Sequence, residues 1–408
     1  MSSTEIEIAS LYSTRAKDAL ANPLTRTYRD RSTIKHRMGS GLPDSALFPI
    51  DELKEYALRA LSTYGVECLS YGAGGQGGFS GPLCLREELA KRTVGHDGRD
   101  LGPDGIVLTS GASHGLALAF NAYLSPGDAV FVESLSWPWA GRYITEAGGT
   151  VVTIPMDDDG MRVDQLGPAI ATAQERGLHP KMIYTIPTFH IPTATCMPES
   201  RRTALLEVAR DHNLVVLEDN LYYDLRYSGA AVPSLFAMDD TGMVLQQNGF
   251  SKTLATGLRL GWVSGTPEAM RPLEFIRQDL GVNQFVAYML AMWVADGRWD
   301  DHTKVLVDSA RHRHGIALKA LTEYCVPYVT FAVPEGGIYF WLELAPEVDL
   351  DAFRRLLVEE GVDLAPGERF TGDDSQRRFF RLAYLDLSDE QLELSISVLG
   401  KCLAGAAG

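Results

Sequence analysis

Cysteine is scarce in this sequence and shows no pairing pattern. Cys68, Cys84, Cys196, Cys325 and Cys402 are scattered through 408 residues without a CxxC. That spacing argues against a disulfide framework and a zinc site, and suits free thiols in a reducing compartment. Long apolar runs are also missing: none approaches the roughly 20 residues that cross a bilayer. The start, MSSTEIEIAS, carries acids where a secretion signal has a basic, then apolar, stretch. A cytoplasmic protein is therefore expected. Basic charge is in deficit, with 37 Lys and Arg against 53 Asp and Glu, a net charge of −16. Neither a nucleic acid nor an anionic membrane is expected as a partner. The nine histidines show no metal-ligand spacing, and no metal is expected. His312 and His314 read as a solvated cationic stripe, and His114 as a helix-start residue.

What is present is an ordinary globular composition, 45% hydrophobic and 22% charged. From about residue 104, short β-rich runs alternate with helical stretches. GIVLTS, DAVFVE, TVVTIP, KMIYTI, LVVLED, MVLQQNGFS and LGWVSG read as strands. This alternation predicts a three-layer α/β/α domain with a mostly parallel sheet, whose functional groups gather at the carboxyl ends of the strands. After about residue 290 a long helical segment, the strands YVTFAV, GIYFWLEL and RRFFRLAYL, and a terminal helix predict a smaller α+β domain. The expected division is an N-terminal arm over 1–48, a large domain over 49–295 and a small domain over 296–408.

Four segments fall where strands end. In NGFSKTLATGLRLGW, Lys252 follows a strand directly and is placed to be a desolvated, nucleophilic amine. Ser251 and Arg259 beside it suit a phosphate. In LEDNLYYDLRY, Asp219 closes an apolar strand, where a buried carboxylate needs a cationic partner. LTSGASHGLAL joins a strand to a helix start, which forms an anion site. VESLSWPWA sets Trp137 after the next strand, where an aromatic ring can stack on a planar ligand. Each segment alone also fits an ordinary turn, cap or core position.

In this order the four segments resemble the fold-type I pyridoxal 5′-phosphate (PLP) enzymes of the aspartate aminotransferase-like class I/II family. GSGLPDSALFPIDEL, GPLCLREELAKR, GGIYFWLEL and RRFFRLAYL extend the resemblance over nearly the whole chain. It implies that Lys252 attaches the cofactor and then moves the proton at the substrate Cα. Asp219 would pair with the pyridine nitrogen and Tyr222 would donate to the phenolic oxygen O3′. Trp137 would stack on the ring, and Ala112, Ser113, Ser251 and Arg259 would hold the phosphate. Tyr71 matches a tyrosine that reaches the neighbouring subunit's phosphate, which implies a homodimer with shared active sites. Arg381 and Gly41 would receive the α-carboxylate of an amino-acid substrate.

Three departures from the pattern stand out. In TIPTFHIPTATC the family's asparagine, a donor to O3′ near the substrate carboxylate, is Ile191, and its glycine is Ala194. An isoleucine has no donor. Tyr222 is thus left as the main partner of O3′, and the bound cofactor's titration midpoint should lie higher than in an Ile191→Asn variant. The third departure is YGAGGQGGFSGPLCLR, where Tyr71 and Gly81 are farther apart than in the family. The Gly-rich stretch 72–81 is expected to be mobile beside the neighbouring active site, where it could admit a larger substrate.

Two enzymatic functions follow. One is transamination; the other is a PLP reaction of specialised biosynthesis, an elimination, replacement, cyclisation or C–C bond-forming annulation, possibly on S-adenosylmethionine. A regulator of this family is a third reading. Only about 38 residues precede GSGLPD, fewer than a DNA-binding helix-turn-helix domain occupies, so it is not expected here.

Overall fold

The computed structural model describes residues 8–21, 33–72 and 78–408. A seven-stranded sheet forms from β1 (Ile106–Thr109), β2 (Asp128–Glu133), β3 (Thr150–Ile154), β4 (His179–Thr185), β5 (Val215–Asp219), β6 (Val244–Gly249) and β7 (Gly261–Ser264). Their spatial order is β1-β7-β6-β5-β4-β2-β3. Six strands are parallel, and β7 runs antiparallel to both β1 and β6. Both faces of the sheet are buried. In β2, Ala129 and Phe131 pack into one apolar cluster, while Val130 and Val132 pack into another. That is the period-two alternation of a strand covered by helices on each side.

A second sheet contains β8 (Val329–Thr330), β9 (Tyr339–Leu344), β10 (Ala365–Pro366) and β11 (Phe379–Ala383), ordered β8-β9-β11-β10 and antiparallel throughout. The 23-residue helix Arg298–Ala320, about 35 Å long, joins the two parts of the molecule. At its start Trp299 packs on Phe250 and Trp262 of the large-sheet region. Further along, Ala310 and Ala317 enter the cluster that includes Phe340 and Leu382 of the small sheet. The terminal helix Asp389–Ala407 begins at a capping box between Ser388 and Gln391.

On this framework the stripe expected of His312 and His314 does not form. His312 faces solvent and meets Asp389 at 2.7 Å. His314 instead stacks on Phe340 with ring centroids 5.3 Å apart, and burial lowers its pKa, so it packs as a neutral ring. Their different helix faces were legible in the sequence, but the aromatic lid over one of them was not. His114 accepts the Ser110 backbone N–H at 3.1 Å, as a helix-start residue does.

The N-terminal segment runs along the small sheet. His36 and Arg37 pair in parallel with Val362 and Asp363, and the Ala383 amide donates to the Met38 carbonyl at 2.7 Å. These bonds carry residues 39–42 onto the cavity between the two sheets.

Candidate active site

The site forms where the carboxyl ends of the parallel strands converge. β1 ends at Thr109 and turns through Gly111 into the helix Ala112–Tyr123. β2 leads to Trp137, β4 to the loop holding Ile191, β5 stops at Asp219, and β6 runs into Ser251 and Lys252. Because β7 is antiparallel, its beginning lies at this same edge and delivers Arg259. Residues Gly41, Ala112, Ser113, Trp137, Ile191, Asp219, Tyr222, Ser251, Lys252, Arg259 and Arg381 all line one cavity of about 380 Å³. Tyr71 does not; it is 79% exposed on the surface of the chain. Within the Gly-rich stretch, residues 73–77 lie outside the described residues.

Lys252 is half-buried and donates a 2.7 Å hydrogen bond to the Gly41 carbonyl. Burial pushes its pKa down, Arg381 and Arg259 act in the same sense, and Tyr339 and Asp219 oppose them. An amine depressed in this way carries more of its neutral, nucleophilic form. Asp219 is 3% exposed and accepts from the Tyr184 hydroxyl at 3.0 Å. Burial raises its carboxyl to about 6, against the pull of Tyr184, the Leu221 amide and Lys252. A carboxylate held there is stabilised by a cation set against it.

A phosphate cradle lies at the other end of the cavity. A Cβ built on Gly111 would fall 2.7 Å from Arg259 Nη2, and this glycine has φ +83°. Only glycine lets the helix N-terminus and the guanidinium converge there. Arg259 itself adopts the left-handed φ +50°, at a cost of about 1–3 kcal/mol, and lines the cavity together with Ser251 and Ser113. The donors, the buried carboxylate and the depressed lysine together fit pyridoxal phosphate. Bound there, Lys252 would hold its carbonyl carbon, Asp219 its ring nitrogen, and the glycine turn with Arg259 its phosphate.

Arg381, on β11, is 8% exposed. Its Nη2 donates to the Gly39 carbonyl at 2.8 Å, and its buried Nε has no hydrogen-bond partner among the described residues. Its guanidinium lies 4.2 Å from the Tyr339 ring centroid and 5.2 Å from that of Phe370. Tyr339 sits on β9 as the diagonal neighbour of Arg381, because Trp341 is the residue directly opposite. The Tyr339 hydroxyl is 2.9 Å from that of Tyr222. Tyr339, Tyr184, Arg369 and Trp139 were not singled out in the sequence. Strand alternation shows that Tyr339 and Trp341 share a face, but not that this face meets Arg381.

Ile191 is 5% exposed and lines the cavity with its apolar side chain. His190 does not fill in for the lost donor: its Nδ1 pairs with Thr193 at 2.9 Å and its ring is absent from the lining. Burial lowers its pKa to about 3, which keeps the ring neutral.

The family model for aminotransferase class I and II matches residues 70–399. The chain is 32% identical over 368 residues to aromatic-amino-acid aminotransferase 1 of Thermococcus litoralis, covering 90% of this chain and 87% of that protein. It is 29% identical over 392 residues to 2-aminoadipate transaminase of Thermus thermophilus, covering 93% and 94%. The crystal structure of Pyrococcus horikoshii kynurenine aminotransferase in complex with PMP superimposes with a TM-score of 0.89 at 29% identity, covering 98% of both chains. The cofactor is pyridoxal 5′-phosphate, and the chain belongs to the class I and II aminotransferase family of PLP-dependent enzymes.

Proposed function

We propose that this protein transaminates α-amino acids that carry an aromatic or acidic side chain, in a site completed by a second copy of the chain. The observation that carries this reading is the convergence of Lys252, Asp219 and Arg381 on one cavity. Bound PLP supplies the electron sink for charge left at the substrate Cα. Arg381 grips the α-carboxylate and so fixes Cα in place. Lys252 would take the proton from Cα and return it two atoms away, to the carbon beyond the amino nitrogen. Asp219 keeps the ring nitrogen protonated, and Tyr222 donates to the ring's phenolic oxygen. Tyr71 serves the partner's phosphate rather than its own, a reading its exposure on the single chain supports.

The rest of the cavity lining supports the choice of side chain. Trp137, Trp139, Phe370 and Leu42 offer apolar surface, and Arg369 adds a cation. Arg369 makes no hydrogen bond or ion pair among the described residues, and the neighbouring Glu368 is engaged by Arg354. The names of two relatives, an aromatic-amino-acid and a 2-aminoadipate aminotransferase, point the same way. No helix among the described residues is long and apolar enough to cross a membrane, and a cytoplasmic location accords with the acidic composition and the unpaired thiols.

Ile191 in the cavity wall favours one second reading, a reaction other than transamination. Holoenzyme incubated with single amino acids and a 2-oxo acid acceptor separates the two. Release of the donor's own 2-oxo acid, fastest with aromatic or acidic donors, supports transamination. Methylthioadenosine released from S-adenosylmethionine, or an elimination product without amine transfer, overturns it.

A further inference from the structure

The Tyr339 hydroxyl stands at a junction that none of the roles above uses. It is 2.9 Å from the Tyr222 hydroxyl, and a Cβ on Gly41 would fall 1.8 Å from it. Its ring lies under the Arg381 guanidinium at 4.2 Å. One side chain thus touches both the phenol proposed to face the cofactor and the arginine proposed to hold the substrate carboxylate. We propose that Tyr339 is a positioning residue that couples occupation of Arg381 by a carboxylate to the direction in which Tyr222 donates its proton.

The ionisable groups facing Tyr339 are Arg381 on β11, Lys252 after β6, Arg369 in the helix Glu368–Thr371, and Tyr222 after β5. Tyr384, near β11, spends its hydroxyl on Tyr227 and the Gly337 carbonyl. Burial raises the Tyr339 pKa, but Arg381, Lys252, Tyr222 and Arg369 outweigh it and leave it lowered. Burial and Tyr339 raise that of Tyr222. The cations thus lie closer to the Tyr339 oxygen than to that of Tyr222, which favours Tyr222 as the donor of the hydrogen bond they share. A substrate carboxylate on Arg381 cancels that cation and brings its own negative charge beside Tyr339. The Tyr339 proton is then drawn to the carboxylate or to Tyr222, and the Tyr222 proton is freed to donate into the cavity. Ile191 offers no donor there, so the direction of this one proton decides how well the cofactor's phenolic oxygen is stabilised.

This inference rests on the PLP-site reading above, and one experiment tells their failures apart. The absorbance of the bound cofactor is titrated against pH, with and without saturating 3-phenylpropionate, a carboxylate with no amine; 3-phenylpropanamide is the neutral control. In the native enzyme the carboxylate, not the amide, should move the midpoint by roughly half a unit or more, the scale of one hydrogen bond. In Tyr339→Phe, which keeps the ring under Arg381, the shift should fall to less than half its native size. Tyr222→Phe should reduce it as strongly, and unchanged far-ultraviolet dichroism shows that both variants fold. A full native-sized shift in Tyr339→Phe, or no carboxylate shift in the native enzyme, overturns the coupling. If the native protein shows no cofactor band that Lys252→Ala removes, the PLP-site reading itself has failed.

Discussion

Lys252 and Gly41 are joined by a 2.7 Å hydrogen bond from the amine to the carbonyl, across 211 residues of chain. The N-terminal segment therefore does more than flank the large domain: its backbone holds the reactive amine. Gly41 has no room for a side chain, because a Cβ would sit 1.8 Å from the Tyr339 hydroxyl and 2.6 Å from its ring carbon Cζ. Gly41→Ala should therefore cost about 1–3 kcal/mol of stability through overpacking. It should also lower kcat/KM at least tenfold, as both the Lys252 acceptor and Tyr339 shift. Thermal melts and steady-state kinetics check this; native values for both would show that the close approach does not matter.

Arg381 should be irreplaceable by lysine. A planar fork meets a carboxylate through two bonds, and an ammonium cannot reproduce that geometry. Arg381→Lys should lose about 2–3 kcal/mol, roughly 30- to 160-fold in kcat/KM, for α-amino acids. Simple amines without a carboxylate should show no further loss. Kinetics on both substrate types give the comparison, and equal losses would remove Arg381 from the carboxylate role.

Asp219 makes a pH prediction whose sign can be worked out. Its ordinary carboxyl value is 3.8 and its folded value is raised to about 6. The folded chain thus binds more protons than the unfolded one between those values, so stability falls as pH rises through that window. The full cost above pH 6 is about 3 kcal/mol at 1.36 kcal/mol per unit. In protein stripped of cofactor, melting of the native chain relative to Asp219→Asn should therefore worsen from pH 4 to pH 7. The same variant should release PLP more readily. A pH-independent difference between the two melts would contradict this account.

Ala194 carries backbone strain that glycine would relieve. It adopts φ +60°, inside a loop where the Ala194 amide donates to the His190 carbonyl at 2.7 Å. A left-handed conformation costs an L-residue about 1–2 kcal/mol, part of which glycine gives back in chain entropy. Ala194→Gly should stabilise the fold by about 0.5–1 kcal/mol. Denaturant unfolding reads this directly, and a loss of stability would show that the methyl group's packing outweighs the strain.

Much of this site was legible because it lies at strand ends. An apolar run stopping at Asp219 and a strand ending shortly before Lys252 mark the edge of the sheet, and the Gly111 turn marks a helix start. The substitution at Ile191 was legible too, because it departs from a pattern. Tyr339 was not, since its meaning depends on a register: only when Trp341 faces Arg381 does Tyr339 fall under the guanidinium. Arg369 was hidden for a related reason. It reaches the cavity from the short helix Glu368–Thr371, and nothing local in the sequence sets that helix beside the strand ends. Tyr71 stands on the outer surface of a single chain, so its proposed role depends on a partner.

The central claim is that Lys252 is the residue that carries the cofactor. Borohydride reduction of the holoenzyme, followed by peptide mass spectrometry, tests it most directly. The account predicts one pyridoxyl phosphate adduct, fixed on Lys252 and absent from Lys252→Ala. An adduct on another lysine of the native protein, or none at all, would contradict it.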